Sequence, residues 1–498
     1  MMDYLSLFAP TTLVIIGAFV LLIISTIKTI HLHSYLYITV GFLLLSFAVE
    51  LPQFGHDTSV YVFPEIFGQS YLVDDFATLF DLMFLGGGAL TLLINAIYLS
   101  KRDYYNGEFF ALFLFSIFGM MTLAHANDLI AAFISLELTS IGIYALTGYH
   151  KNYRGSNEAM LKYLILGSFA GVFFILGAAI FYGIAGTTVI SELATFIHLH
   201  GQEHLLALSA AGMFIMITVL FKIGAIPFHS WLLDVYLGAP FPVTMFMAST
   251  LKVALFAIAL RLYLILYVDT GLVGNQAITV IAILTLLGGS WLALSQTILK
   301  RMLAGSSIVH GGYMLIALSS IGMGANLAAP AIMFYLLSYF ISSVGAFGIL
   351  SYIAAGATRP LTYDDFKGMA YRRPYLSAMM AISMLSLSGF PSTIGFLGKF
   401  YIFTSAIESG QFFLAGLGIF VAFVSVYYYF KLIAMMYFYP NEETEGERHP
   451  FEVHISTLLI GFMALVTIWG GIGTSLIPYF PGADGMIEIA KQAIGSLP

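Results

Sequence analysis

The sequence predicts an all-α integral membrane protein of about fourteen transmembrane helices, built around two inverted five-helix repeats that each contain a proline-broken helix. Three observations lead there. Of 498 residues, 60% are hydrophobic and 9% charged, against roughly 25% charged in an ordinary soluble domain, so a water-facing surface cannot be assembled from them. Apolar stretches of about 20 residues, the length that crosses a bilayer with its backbone satisfied internally, follow one another nearly end to end. Two of these stretches are overlong and are interrupted midway by proline.

The stretches fall at residues 5–27, 33–50, 76–99, 108–125, 128–148, 158–184, 204–238, 243–267, 275–296, 302–322, 328–354, 375–406, 411–438 and 453–477. The first reads as a span and not a cleaved leader, because Asp3 precedes it in place of a basic n-region. Loop charge tests the count, since cytoplasmic loops carry the excess Lys and Arg. Alternate connections hold Lys28; Lys101 and Arg102; Lys151 and Arg154; Lys300 and Arg301; Arg359, Lys367, Arg372 and Arg373; and Arg448. The connections between them hold none: residues 51–75 offer only Asp57, Glu65, Asp74 and Asp75. The alternation places both termini on the non-cytoplasmic side, as expected for a protein of a bacterial inner membrane.

The two interruptions, Ile223-Gly-Ala-Ile-Pro227 and Leu387-Ser-Gly-Phe-Pro391, are one feature used twice. Lys162-Tyr-Leu-Ile and Phe334-Tyr-Leu-Leu open spans that precede the breaks by similar intervals. A repeat of five spans follows, the fourth to eighth and the ninth to thirteenth, and an odd number forces successive copies to lie upside down. The chain divides into an N-terminal three-helix segment at 1–105, a first repeat at 106–270, a second at 271–440, and a C-terminal helix and tail at 441–498. Each repeat is expected to form a proton half-channel.

Charges at membrane depth carry the chemistry. Each costs about 2.5–3.5 kcal/mol at a helix centre, and Glu137, Lys222, Lys252 and Lys399 all lie there. Together they cost on the order of 10–14 kcal/mol, comparable with the net stability of a domain, so packing does not explain them. The three lysines outnumber nearby carboxylates, which leaves some deprotonated or reached by water. A lysine in low dielectric loses its preference for the charged form and can exchange a proton near neutral pH. A Glu137–Lys222 pair would load and release a proton through a small electrostatic change; a purely structural ion pair is the plainer alternative.

Lys162 lies just inside its span and either joins this relay or snorkels to the interface, while snorkelling is the expectation for Arg261 and Lys431. His229, two residues after Pro227, and His310 suit proton relay or hydrogen-bonded core positions equally. His125 near a span end leaves no axial pair for haem. Aromatic and methionine residues read as lipid contact and helix packing, and Asp81 has no assigned role. Absence of cysteine excludes a cysteine-bound cluster, and a net charge of −7 excludes the basic stripe of a nucleic-acid binder.

The run Phe221-Lys-Ile-Gly-Ala-Ile-Pro-Phe-His-Ser-Trp231, continued by Gly238-Ala-Pro-Phe-Pro-Val-Thr244, resembles the hallmark of the antiporter-like subunits of proton-pumping NADH:quinone oxidoreductase, respiratory complex I. Gly389-Phe-Pro-Ser-Thr-Ile-Gly-Phe-Leu-Gly-Lys399 resembles their second-half counterpart. A lysine at 399 and an end soon after the last span are similar to the subunit N branch. The resemblance covers essentially the whole chain. It implies a proton-translocating subunit in which Glu137 and Lys222 form a charge pair, Lys162 modulates it, Lys252 and His310 link the halves and Lys399 faces the outer exit. His229 is carried over as a further relay group. It also implies no flavin, cluster or other cofactor in this chain, with redox chemistry supplied by other subunits. Neighbouring antiporter-like membrane subunits and lipid would be its partners. Alternatives are an Mrp-type cation/proton antiporter subunit, a membrane-bound hydrogenase subunit, and a scaffold whose charges are structural.

Overall fold

The computed structural model describes residues 2–27, 31–55, 60–61, 64–266, 274–357, 359–439, 453–473 and 481–497. Lys28, Asp57 and Arg448, used above to count loops, lie outside the described residues. The N-terminal segment runs α1 (Met2–Ile27), α2 (Leu32–Glu50), a small antiparallel hairpin of β1 (Val60–Tyr61) and β2 (Leu72–Val73) enclosing α3 (Pro64–Phe67), then α4 (Asp75–Ile94) and α5 (Ala96–Ser100). The first repeat contains α6 (Gly107–Ala124), α7 (Leu129–Thr147), α8 (Arg154–Ala185), α9 (Ile190–His200), α10 (Leu205–Ile223), α11 (Leu232–Gly238), α12 (Phe241–Phe246) and α13 (Lys252–Leu266). The second contains α14 (Gly274–Leu294), α15 (Leu299–Ile321), α16 (Ala328–Ala354), α17 (Met369–Arg372), α18 (Pro374–Ser388), α19 (Ile394–Glu408) and α20 (Phe412–Phe438). Two helices close the chain, α21 (Ile455–Trp469) and α22 (Ala483–Gly495).

Twelve of the described helical segments are long and apolar enough to cross a membrane, and Pro374–Ser388 and Ile455–Trp469 are shorter apolar helices. Together they occupy the fourteen predicted segments. Helix is forced on them because hydrocarbon offers no partner to a free backbone amide or carbonyl. Acidic N-caps settle two of the starts: Asp74 Oδ1 accepts from the Ala77 amide at 2.7 Å, and Asp128 Oδ1 from those of Ile130 and Ala131 at 2.8 and 3.0 Å. One predicted span is divided. Residues 76–99 turn at Asn95, whose side chain reaches back to the Thr91 carbonyl, so α4 and α5 are separate helices.

The repeats match in how their helices neighbour one another. In the first, α6 packs on α7, α7 on α8 and α8 on the broken helix α10/α11; in the second, α14 packs on α15, α15 on α16 and α16 on α18 and α19. Both breaks are built alike. Gly224 and Gly389 adopt left-handed conformations, with φ of +80° and +83°. The amide of each glycine returns three residues, to Phe221 and to Ser386, and the next amide returns five, to Leu220 and to Leu385. That paired closure satisfies two of the last carbonyls and ends the helix before proline is reached. Glycine therefore makes the break, and Pro227 and Pro391 prevent the helix from resuming at once.

The basic connections meet at one end of the bundle: Arg102, His150, Lys300 and Arg359 line one cleft. At the opposite end the hairpin and the segments 125–128 and 187–190 pair by bridges Tyr71 to Ala126 and Asp128 to Val189. There α22 packs against α4 and α16. The Phe76 amide donates to Ser496 Oγ at 3.1 Å, and Gln492 Nε2 donates to Asp75 at 3.0 Å.

Candidate proton-transfer site

Two clusters of buried polar groups occupy the repeats. In the first, Lys222 sits at the end of α10, one residue before the closing motif begins to unwind. Its Nζ lies 3.3 Å from Glu137 Oε1 and donates to Ser140 Oγ, one turn further along α7. The Lys222 side chain is 1% exposed and that of Glu137 20%. Glu137 faces Gly171 on α8, where even a methyl group would stand 3.1 Å from the carboxylate. Around the pair stand aromatic groups: Lys222 Nζ is 5.8 Å from the Tyr144 ring, Tyr144 meets Tyr163 edge-on, and Tyr163 stacks on Trp231 at 4.4 Å. The Trp231 indole N–H donates to the Phe221 carbonyl, which also accepts from the Gly224 amide at the helix end.

The second cluster is longer. A π-helical turn, Met247–Leu251, leads into Lys252, whose Nζ donates to the Ser307 carbonyl and hydroxyl, both at 2.5 Å. The ammonium lies 5.2 Å from the Tyr339 ring, and that ring lies 4.7 Å from His310. His310 contacts the hydroxyl of Tyr335 through Nδ1 at 2.6 Å and that of Tyr429 through Nε2 at 3.1 Å. Tyr335 meets Tyr313, and the Tyr313 ring lies 5.0 Å from Lys399 Nζ. Lys399 projects from α19 back across the break and donates to the carbonyls of Leu387 and Ser388, at 2.9 and 2.8 Å. It thus closes the end of α18, whereas Lys222 at the end of α10 turns to side chains of α7. Beside it a mostly apolar cavity of about 350 Å³ opens between α19 and α20.

A run of contacts therefore joins Lys252, His310 and Lys399. Among the described residues no side-chain hydrogen bond joins the Glu137–Lys222 cluster to Lys252. Lys162 lies apart from both, on the outer surface of α8 with its side chain 40% exposed. It pairs with Glu158 at 2.7 Å and with Asp234 at 2.9 Å, and Asp234 also binds Arg301 at 3.0 Å. That shared carboxylate ties α8, α11 and α15 together. His229 is half-buried in the stretch between α10 and α11, and its Nδ1 has no partner among the described residues.

Three sequence expectations are corrected. Arg261 does not snorkel: it is fully buried, 2.9 Å from Asp74 and over the Phe76 ring. Lys300 is not a loop charge, since α15 already begins at Leu299. Its ammonium is buried against the carbonyls of Leu237 and Ala239 and the Phe241 ring. Nor are the aromatic residues only packing, because Tyr144, Tyr313, Tyr335, Tyr339 and Tyr429 line the two clusters. Lys431 is half-buried, with its ammonium over the Tyr363 ring.

The chain matches the family described as NADH:quinone oxidoreductase/Mrp antiporter, transmembrane, over residues 126–425. It is 37% identical to NADH-quinone oxidoreductase subunit N of Trichlorobacter lovleyi over 86% of this chain and 85% of that one. It is 34% identical to NADH-quinone oxidoreductase subunit N 2 of Rhizobium meliloti over 97% of this chain and 96% of the relative. A chain of respiratory complex I from Thermus thermophilus superposes with a TM-score of 0.76 at 28% identity, covering 93% of this chain and 97% of that one.

Proposed function

The chain belongs to the NADH:quinone oxidoreductase/Mrp antiporter membrane family, and on that footing we propose that it is the subunit N type of proton-translocating subunit in a complex I type NADH:quinone oxidoreductase. The observation that carries the proton reading is the run of buried contacts from Lys252 through His310 to Lys399. Buried lysines held by carbonyls and hydroxyls, with titratable histidine and tyrosine hydroxyls between them, can take up and pass on protons without a metal or a prosthetic group. Redox chemistry is assigned to other subunits, and this chain carries no redox centre.

The roles divide by geometry. Glu137 supplies the negative charge against which Lys222 is loaded, and Ser140 orients the ammonium. Lys252 and His310 connect the halves, and Lys399, seated on the end of a broken helix, governs exit to the outer side. The left-handed glycine at each break leaves backbone carbonyls available to an ammonium or to water. Lys162, bridged through Asp234 to Arg301, modulates the first cluster. His229 serves the first cluster as an accessory group within the break. Both termini lie on the non-cytoplasmic side, following the basic loops gathered at the other end.

The test is a comparison of Lys222→Met with Lys431→Met in the assembled complex, reconstituted in liposomes. Loss of NADH-driven proton uptake in the first and retention in the second supports the assignment; equal losses overturn it. Co-purification with a quinone-reducing peripheral arm separates this reading from an Mrp-type antiporter subunit.

A further inference from the structure

Outside the two clusters, three buried ionisable groups converge at the end of the bundle opposite the basic loops. Glu50 is the last residue of α2, Asp81 lies in the second turn of α4, and His125 follows α6 directly. Their exposures are 2%, 0% and 2%. One ligand-type atom from each lies within 4.8 Å of the other two. His125 Nδ1 is 2.7 Å from the Leu72 carbonyl, which can only accept, so Nδ1 carries a hydrogen. Stacking of the Tyr71 ring on His125 at 4.6 Å holds the imidazole in that orientation. Nε2 is thereby turned toward Asp81 Oδ2, 3.0 Å away.

The group is short of positive charge. Two carboxylates and one imidazole nitrogen face one another. Among the described residues Glu50 Oε1 and Asp81 Oδ1 have no hydrogen-bond partner. Among the described residues no lysine or arginine pairs with Glu50 or Asp81, since Arg261 is committed to Asp74. Two buried carboxylates facing one another are too costly to persist ionised, so either protons or a cation must neutralise them.

We propose that Glu50, Asp81 and His125 bind one divalent cation of the zinc class. An imidazole and two carboxylates are a ligand set that such ions accept, at bond lengths of about 2.0–2.2 Å. One double positive charge neutralises both carboxylates. The Nδ1–H to carbonyl bond is the outer-sphere contact that orients ligating histidines and fixes their tautomer. Bound there, the ion ties the ends of α2 and α6 to the start of α4 and staples the N-terminal three-helix segment.

The full-length chain, purified in nanodiscs with an affinity tag free of histidine, is loaded with Zn²⁺ and passed over a chelating resin. His198, His200 and His204 are first replaced by Gln, because this exposed group, with Glu203 3.9 Å from His200, offers a surface site. About one zinc per chain should survive by elemental mass spectrometry, and Glu50→Gln and His125→Gln should each hold it more than about 100-fold more weakly, since even outer-sphere substitutions cost about 10- to 100-fold. X-ray absorption at the zinc edge of the unaltered triad needs no variant to fold, and should give one imidazole with oxygen ligands only. No retained zinc would mean that protons fill the triad and the proposal is wrong. Retention in both variants equal to that of the parent, or a shell with more than one imidazole, would overturn it as well.

Discussion

Replacing Glu137 by glutamine removes one charge from the first cluster and leaves its shape. At 3.3 Å from Lys222 Nζ, the carboxylate attracts a charged ammonium by about 5 kcal/mol at an effective dielectric constant of about 20. Because one-fifth of the Glu137 side chain is exposed, water screens part of this, and about 2–3 kcal/mol is the expected effective coupling. With a factor of ten for each 1.4 kcal/mol, the charged form of Lys222 becomes roughly 30- to 150-fold less favoured. Proton transfer through this chain should fall accordingly. Glu137→Asp keeps the charge at a greater distance and should retain partial transfer. The assay is NADH-driven acidification of proteoliposomes holding matched amounts of assembled complex, expressed per electron delivered to quinone. A normal proton-to-electron ratio in Glu137→Gln would refute the charge-pair mechanism and leave the family assignment intact.

Other perturbations probe separate parts of the structure. Arg261→Met strands the Asp74 carboxylate in the interior and should cost about 3–5 kcal/mol, read as a lower melting temperature and poor recovery from membranes, whereas Lys431→Met should lie within about 0.5 kcal/mol of the parent. Gly389→Ala places a methyl group 2.8 Å from Lys399 Cδ at a φ of +83°. It should slow proton transfer, while Gly183→Ala, which meets nothing, should not. Partial burial pushes the Asp365 carboxyl up, but hydrogen bonds from Thr362 and Arg359 outweigh that and hold it below the usual carboxylate range. A depressed folded value gives stability that is complete above the unfolded value of about 3.9 and is lost as pH falls through the folded one. Amide protection of residues 359–366 should therefore drop on acidification, and Asp365→Asn should show low protection that no longer depends on pH.

The features legible in the sequence were those that physics makes locally costly. Lys222, Lys252 and Lys399 stand out because a charge in an apolar run is expensive wherever it occurs, and Gly224-to-Pro227 announces a break within four residues. Pairing of Lys222 with Glu137 was within reach because few buried carboxylates exist to choose from. Arg261 was misread because its partner, Asp74, is 187 residues away and no local pattern links them. Lys300 beside Arg301 has the appearance of a loop pair, and only the docking of the α11 end onto α15 buries the first and pairs the half-buried second with Asp234. With 30 tyrosines in the chain, composition cannot separate the few hydroxyls beside His310 from those that only fill space. Asp81 and Glu50 gained a meaning only when α2, α4 and the end of α6 came together.

The bond from the Phe76 amide to Ser496 spans 420 residues of chain, which sets a timetable for biosynthesis. At ribosomal speeds of 5–20 residues per second, about 20–80 s separate emergence of the first partner from that of the second. Throughout that interval the start of α4 has lost a donor's partner, and Asp75 lacks its bond from Gln492. Headgroup water or an insertase must cover that end of the nascent bundle until the last helix arrives. A chain truncated within the second repeat would thus keep its inserted spans but leave the start of α4 without the cover that α22 supplies in the full chain.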